Sequence, residues 1–214
     1  MPTPRAERVF INCPFDSRYL PLFHAIVFAI HDLGFQARHA LIDDSSALRL
    51  TRIDEELRDC AYSIHDISRV EVGGKLRLPR FNMPFEAGLA YSMHVRSTAR
   101  RPHHLLLLDA APYRYQASLS DAAGLDPKIH HNDPVLAIGA VRSFVQTKSA
   151  KPSLPGAAFI ARRHALFFSK LPLIARRQRL RMREIKSWDY ANDLQTLMAE
   201  WILLGDNHLC RRQR

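Results

Sequence analysis

The chain has 214 residues, and 47% of them are hydrophobic, enough for the core of one domain with a modest extension and too many for a disordered chain. No apolar run reaches the roughly 18–20 residues of a membrane span, and the N-terminus lacks the apolar stretch of a signal peptide, so we expect a cytoplasmic protein with no membrane partner. The net charge is +10, and its excess lies in residues 151–214, which carry 13 basic and 5 acidic side chains. A solvated helical face explains this excess, and a nucleic-acid partner is the alternative.

The cysteines and histidines give no sign of a metal or cofactor. The three cysteines are far apart and form no CxxC pair, so neither a disulfide framework nor a zinc site is indicated. None of the 11 histidines has the spacing of an HExxH motif.

Strand-like and helix-like segments alternate in the first half of the chain. The apolar patterns predict strands over residues 8–12, 35–42, 62–67 and 103–109. A helix over 19–33 ends at Gly34 in the C′ position. A second helix places four apolar residues roughly on one face, namely Leu48, Ile53, Leu57 and Cys60. Residues 70–79 are predicted to form a loop, and a third helix begins near residue 84.

This alternation predicts an α/β fold, a flavodoxin-like three-layer parallel sheet with a C-terminal helical extension. In such sheets the ligand lies at the carboxyl ends of the strands. Later in the chain, Asp133 and Pro134 cap a helix over 135–145, residues 148–156 have linker composition, and the last helix covers 190–204. We therefore predict a nucleotide-binding α/β domain over 1–147 and a basic helical extension over 148–214.

The segment around Glu86 carries the most information about function. Pro84 is suited to the first turn of a helix, and Glu86 would then lie near the positive end of that helix, where an ionised carboxylate is favoured. Gly88 weakens the helix by about 1 kcal/mol relative to Ala, which suggests that something must approach the backbone closely.

Polar groups follow each predicted strand and should meet at one edge of the sheet. Crowded carboxylates there would raise one another's pKa values unless arginines such as Arg52, Arg69 and Arg80 compensate. Capping of helices and turns is at least as good an explanation for Asp16, Asp43 and Asp44, and a weaker one for Asp66 and Glu86. The set comprises Asn12, Cys13, Phe15, Asp16, Asp43, Asp44, Asp66, Ser68, Arg69, Asn82 and Glu86.

Several nucleotide-binding and hydrolase motifs are missing. No GxGxxG or GxxxxGK[ST] follows the first strand, and GxSxG is absent. These patterns give no support to a standard dinucleotide fold, a P-loop protein or an α/β-hydrolase.

Two segments carry a family resemblance. Val-Phe-Ile-Asn-Cys-Pro-Phe-Asp at 9–16 and Pro-Phe-Glu-Ala-Gly-Leu-Ala-Tyr at 84–91 resemble nucleoside 2-deoxyribosyltransferases and the related TIR-like superfamily. In the transferases the nucleophilic Glu opens a helix within Glu-x-Gly-x-Ala, which Glu86 to Ala90 match. Cys13-Pro14-Phe15 is similar to the first-strand loop, with Cys in place of Gly. The resemblance covers about residues 8–110 and implies the same fold.

The activity implied by the resemblance is cleavage of an N-glycosidic bond in NAD, a nucleoside or a nucleotide. Glu86 would be the nucleophile or stabilise an oxocarbenium-like state, and Asp66 or Asp16 would orient it or protonate the base. NAD would be a substrate rather than a cofactor, and no cofactor is implied. The implied substrate-binding residues are Asn12, Cys13, Pro14, Phe15, Asp16, Asp43, Asp44, Ser68, Arg69, Phe81, Asn82 and Gly88.

The alternative is a non-catalytic, nucleotide-sensing or oligomerising TIR-like module whose basic tail faces nucleic acid. Glu86 favours the enzyme, whereas the charged tail favours the binding module. Members of the TIR-like group are often oligomeric, so a homo-oligomer is compatible with either function.

Overall fold

A computed structural model of the chain describes residues 3–41, 49–69, 72–73, 78–79, 81–117, 119 and 125–204. Its strands are β1 (Arg8–Asn12), β2 (Gln36–His39), β3 (Tyr62–Asp66), β4 (Val72–Gly73), β5 (Leu78–Pro79), β6 (His104–Asp109) and β7 (Lys128–Ile129). Its helices are α1 (Leu20–Asp32), α2 (Arg49–Asp59), α3 (Asn82–Val95), α4 (Pro134–Lys148), α5 (Ala157–Arg177), α6 (Met182–Ile185) and α7 (Ala191–Leu204). The chain divides into two compact units, Met1–Pro14 with Phe35–Asn132 and Phe15–Gly34 with Asp133–Arg214.

The first unit is built on a five-stranded parallel sheet. Its strand order is β2-β1-β3-β6-β7, and every pairing is parallel. The chain leaves β1 for β2 on one side and reaches β3 on the other, so the order reverses between β1 and β3. Ligands of open parallel sheets bind beside such a reversal, at the carboxyl ends of the strands. A small antiparallel pair, β4 and β5, lies outside this sheet.

Helices α2 and α3 pack on the sheet through an apolar cluster. Phe10 of β1 is fully buried against Ile53 and Leu57 of α2 and Ala90 of α3. Burial of such side chains stabilises the folded state by about 1.5–3 kcal/mol each. The packing fixes α3 against β1 and β3, and it thereby positions the residues near the start of α3.

The second unit is a group of helices around α1. Helix α1 is buried on nearly every side, and it packs against α4, α5 and α7. Three large aromatic side chains meet in this core, with ring centroids 5.9 Å apart for Phe28 and Trp201 and 5.6 Å apart for Phe167 and Trp201. An ion pair of 2.9 Å between Arg163 and Asp32 also joins α5 to the end of α1.

Gly34 ends α1 in the way that the sequence predicts. Its φ of +76° lies in the left-handed region, which a side chain rarely adopts. The Lys151 ammonium donates hydrogen bonds to the carbonyls of Leu33 (3.1 Å) and Gly34 (2.7 Å), and its Nζ would lie 2.6 Å from a Cβ at position 34. The backbone conformation therefore favours glycine, and a side chain at this position would also displace the end of Lys151.

The prediction of a flavodoxin-like α/β class with a parallel sheet and C-terminal helices is confirmed. The Asp133 cap is also confirmed, since its Oδ1 accepts a hydrogen bond of 2.8 Å from the Val135 amide. One prediction is wrong, because residues 70–79 include the β4–β5 pair rather than a loop alone. Strand β7 was not anticipated, because two residues carry no periodic signal. The domain ranges 1–147 and 148–214 stay a prediction, and the compact units run differently along the chain.

Candidate functional site

Glu86 lies at the start of the second turn of α3. The helix begins at Asn82, so Pro84 is in its first turn as predicted, and Glu86 is its fifth residue. The influence of a helix terminus falls off within the first turn. The expectation that the helix end keeps Glu86 ionised stays a prediction, and other groups act more directly on this carboxylate.

The Glu86 carboxylate forms a polar cluster with the buried Asn12 amide and the exposed Arg49 guanidinium. Glu86 is 4% exposed and Asn12 is 2% exposed. The Asn12 side chain hydrogen-bonds to the carboxylate, and Arg49 Nε lies 4.0 Å from Oε1. The other oxygen, Oε2, is buried and has no hydrogen-bond partner among the described residues. A carboxylate oxygen in this state keeps the capacity to contact a bound molecule.

His65 holds the Asn12 amide in place. Asn12 and His65 are paired neighbours in β1 and β3, and Asn12 Nδ2 lies 3.1 Å from His65 Nδ1. Burial, helped by the nearby His103, lowers the pKa of His65 to about 3, so its ring is uncharged at neutral pH. Its Nδ1 can then accept one amide hydrogen of Asn12, which leaves the second for Glu86.

Burial raises the pKa of Glu86 above its ordinary value. The Arg49 charge and the hydrogen bond from Asn12 act in the opposite direction and favour the ionised form. The sequence argument expected crowded carboxylates to raise such pKa values. The main cause is instead the removal of Glu86 from water.

Asp66 lies in a second polar cluster. Its Oδ1 accepts a hydrogen bond of 2.8 Å from the Ser68 amide, and its Oδ2 lies 2.9 Å from His130 Nε2. The Asn132 amide donates a hydrogen bond of 3.0 Å to His130 Nδ1, the other ring nitrogen. Both Asp66 and His130 are buried.

Arg114 links Asp109 to the segment that follows β3. It donates a hydrogen bond of 2.8 Å to Asp109 Oδ1 and another to the Ser68 carbonyl. Burial raises the pKa of Asp109, Arg114 lowers it, and the charge of Asp66 raises it slightly. These contacts hold the carboxyl ends of β3 and β6 together.

The two clusters lie on different faces of the sheet. Neighbouring residues in a strand point to opposite faces, so Asp66 points away from the face that His65 shares with Asn12 and Glu86. The structure therefore joins Glu86 to Asn12 and Asp66 to His130. Joint action of Glu86 and Asp66 stays a prediction.

The other predicted residues of the first unit lie around these clusters. Cys13 and Pro14 are buried directly after β1, while Ser68 is buried and Arg69 half-buried after β3. Phe81, Asn82 and Gly88 are exposed at α3. A Cβ at Gly88 would meet no atom of the described residues within 4 Å, so packing within that part of the chain does not require glycine.

The remaining predicted residues belong to the second unit or lie outside the described residues. Phe15 and Asp16 belong to the second unit. Asp16 Oδ1 accepts hydrogen bonds from the amides of Arg18 (3.0 Å) and Tyr19 (3.1 Å), which is the capping role that the sequence left open. Asp43 and Asp44 lie outside the described residues, as does Arg80.

Sequence reasoning missed five residues of the clusters: Arg49, His65, Asp109, Arg114 and His130. The available signal for His65 was its polar side chain inside an apolar strand. For Asp109 the signal was a carboxylate directly after a run of four leucines. Arg114 and His130 stand in segments without periodicity. Only the sheet pairing brings them to the strand ends.

Comparisons with protein families, with characterised proteins and with solved structures give no match to this chain. The resemblance to deoxyribosyltransferases and TIR-like proteins therefore stays a prediction. Among the described residues, no group of three or more His, Cys, Asp or Glu side chains is placed to hold a metal ion. No helix in the described part of the chain has the length and apolar character needed to cross a membrane.

Proposed function

We propose that this protein cleaves the N-glycosidic bond of NAD, a nucleoside or a nucleotide, with Glu86 acting on the anomeric carbon. The observation that carries the proposal is the buried Glu86 carboxylate, held by Asn12 and Arg49 with Oε2 lacking a hydrogen-bond partner among the described residues. Because Asn12 ends β1, this carboxylate lies at the carboxyl end of a strand beside the reversal of strand order, where ligands of this fold class bind.

The chemistry requires an anion near C1′ of the sugar. Departure of the base develops positive charge on the sugar, which a carboxylate stabilises or attacks. If Oε2 attacks C1′, a glycosyl ester forms while the C1′–N bond breaks and its electron pair passes to the base nitrogen. Water then cleaves the ester at C1′, which restores the carboxylate and releases the free sugar and a proton. Nicotinamide leaves NAD as a neutral molecule, so that reaction needs no general acid.

The environment of Glu86 suits this role. Burial removes water that would otherwise solvate the carboxylate, and Arg49 and Asn12 keep the ionised form accessible despite the raised pKa. The rate should therefore rise with pH through the raised pKa of Glu86, because only the ionised carboxylate can act.

Residues on the exposed edge of α3 supply groups for substrate binding. The Phe81 side chain is 63% exposed and is suited to stack on a base, and Asn82 beside it could contact a sugar hydroxyl. The open backbone at Gly88 leaves room for the substrate. Ser68 and Arg69, after β3, are proposed to contact the ribose and a phosphate.

A non-catalytic, nucleotide-sensing module is the second candidate, and the basic segment from the end of α5 to α6 favours it. Arg176, Arg179, Arg181 and Arg183 are all exposed, as a surface that contacts nucleic acid would require. Either candidate function, the glycosidase or the sensing module, is compatible with a homo-oligomer.

Product analysis distinguishes the two candidates and identifies the substrate. The protein is incubated with NAD and with a panel of nucleosides and nucleotides, and free base is measured by mass spectrometry. Release of free base by the wild type and its loss in Glu86→Gln are expected. Absence of turnover with every compound, while both proteins bind the same nucleotide, would leave only the sensing module.

A further inference from the structure

The second unit contains a cavity of about 360 Å³ that the proposed reaction does not use. Three helices and the residue after a fourth form its wall. This volume is within the range of small-molecule sites. The lining residues are Ser17, Leu20, Pro21, His24, Pro134, His164, Phe168 and Lys186.

One wall of the cavity is aromatic. The rings of His24 and Phe168 are stacked with centroids 5.6 Å apart and planes 28° apart, and the His164 ring lies 4.8 Å from that of Phe168. Burial lowers the pKa of His24 to about 3 and that of His164 to about 4. Both imidazoles are therefore uncharged at neutral pH, and the wall suits a flat, apolar ring.

The charge at the cavity is positive. Lys186 is an exposed cation in the lining, and none of the eight lining residues is acidic. Helices α1 and α4 begin at Leu20 and Pro134, so two helix N-termini with their positive ends also face this region. The nearby carboxylates of Asp16 and Asp133 accept hydrogen bonds from backbone amides, which offset their charge in part.

The aromatic wall also contains polar atoms that the described chain does not satisfy. The Nε2 atoms of His24 and His164 are buried and have no hydrogen-bond partner among the described residues. His24 itself is only 6% exposed. Buried polar atoms of this kind usually have a partner, such as an ordered water.

We propose that this cavity is a binding site for a small aromatic carboxylate. Its ring lies on the wall formed by Phe168 and His24, and its carboxylate meets the Lys186 ammonium at the mouth. Every lining residue belongs to the second unit.

The test is a titration of the full chain with 2-naphthoate and with its neutral analogue 2-naphthamide, followed by ligand-observed NMR and calorimetry. Lys186→Gln should weaken 2-naphthoate binding about fivefold, the effect of losing one partly exposed charge pair, and should leave 2-naphthamide binding unchanged. Arg183→Gln is the matched control, since it removes a neighbouring positive charge outside the lining. It should not change the affinity for either compound.

A second variant tests the location of the site. Ser17 is exposed and lines the cavity, so Ser17→Trp should block the cavity and abolish binding of both compounds without lowering the stability of the fold. No saturable binding to the wild type would overturn the proposal. Equal weakening by Lys186→Gln and Arg183→Gln, or full binding to Ser17→Trp, would overturn it as well.

Discussion

Buried histidines should make the folded protein sensitive to mild acid. His24, His65 and His103 are at most 6% exposed, and burial lowers their pKa values to about 3, 3 and 4. In the unfolded chain each would titrate near its ordinary value of about 6.5. The unfolded state then binds more protons than the folded state, so stability falls as the pH falls below about 6.5 toward these lower values.

The size of this loss of stability follows from the folded and unfolded pKa values of the three histidines. Between pH 7.5 and 5.5, each histidine should lower the free energy of unfolding by about 1.3 kcal/mol, and the three together by about 4 kcal/mol. Small domains have total stabilities of about 5–15 kcal/mol, so the effect is large. The raised pKa values of Glu86 and Asp109 act in the opposite direction and reduce the net change.

Comparison of variants isolates the contribution of one histidine. His103 Nε2 lies 2.9 Å from Ser63 Oγ, and its Nδ1 lies 3.2 Å from the Cys60 carbonyl, so the neutral ring has partners at both nitrogens. Denaturant unfolding at pH 7.5 and 5.5 should show a loss smaller by about 1.3 kcal/mol in His103→Gln than in the wild type. His131→Gln, which removes an exposed ring, is the control and should show the wild-type loss. An equal loss in all three proteins would refute the reasoning.

Three further experiments, two on variants and one on the wild type, test separate parts of the structure. Gly34→Ala should lower the free energy of unfolding by about 1–2 kcal/mol, because it strains a positive φ and meets Lys151 Nζ; an unchanged denaturation midpoint would contradict this. Asn12→Ala should raise the pKa of Glu86 further, since it removes a hydrogen bond to the ionised form; NMR titration of the Glu86 carboxyl carbon would show no shift if Asn12 were unimportant. Burial raises the pKa of the Cys60 thiol to about 12, so alkylation at pH 8, followed by peptide mass mapping, should modify Cys60 only after unfolding.

Local patterns predicted the elements of the fold well where the periodic signal was long. Strand β1, helix α1 and its end at Gly34 follow from apolar spacing and from the conformational freedom of glycine. The two-residue strand β7 could not be predicted, because its formation depends on pairing with β6. Likewise, no local pattern predicts that α1 packs with α4, α5 and α7.

The sequence predicted individual residues of the candidate site better than their arrangement. Asn12 and Glu86 were found because one ends a strand and the other opens a helix. His65 was missed because its role depends on the pairing of β3 with β1, which places it opposite Asn12. Asp66 was grouped with Glu86 from its position at a strand end, but strand alternation directs it to the other face, where it meets His130.

The most direct test of the account is the single-turnover rate of base release by wild type, Glu86→Gln and Glu55→Gln, measured with the substrate found in the product analysis. Glu55 is an exposed residue of α2, so its variant controls for loss of a carboxylate elsewhere. The account predicts a rate about a thousandfold lower for Glu86→Gln, on the order of 4 kcal/mol of transition-state stabilisation, and a wild-type rate for Glu55→Gln. A Glu86→Gln rate within a few-fold of the wild type would contradict the central claim that Glu86 acts at the anomeric carbon.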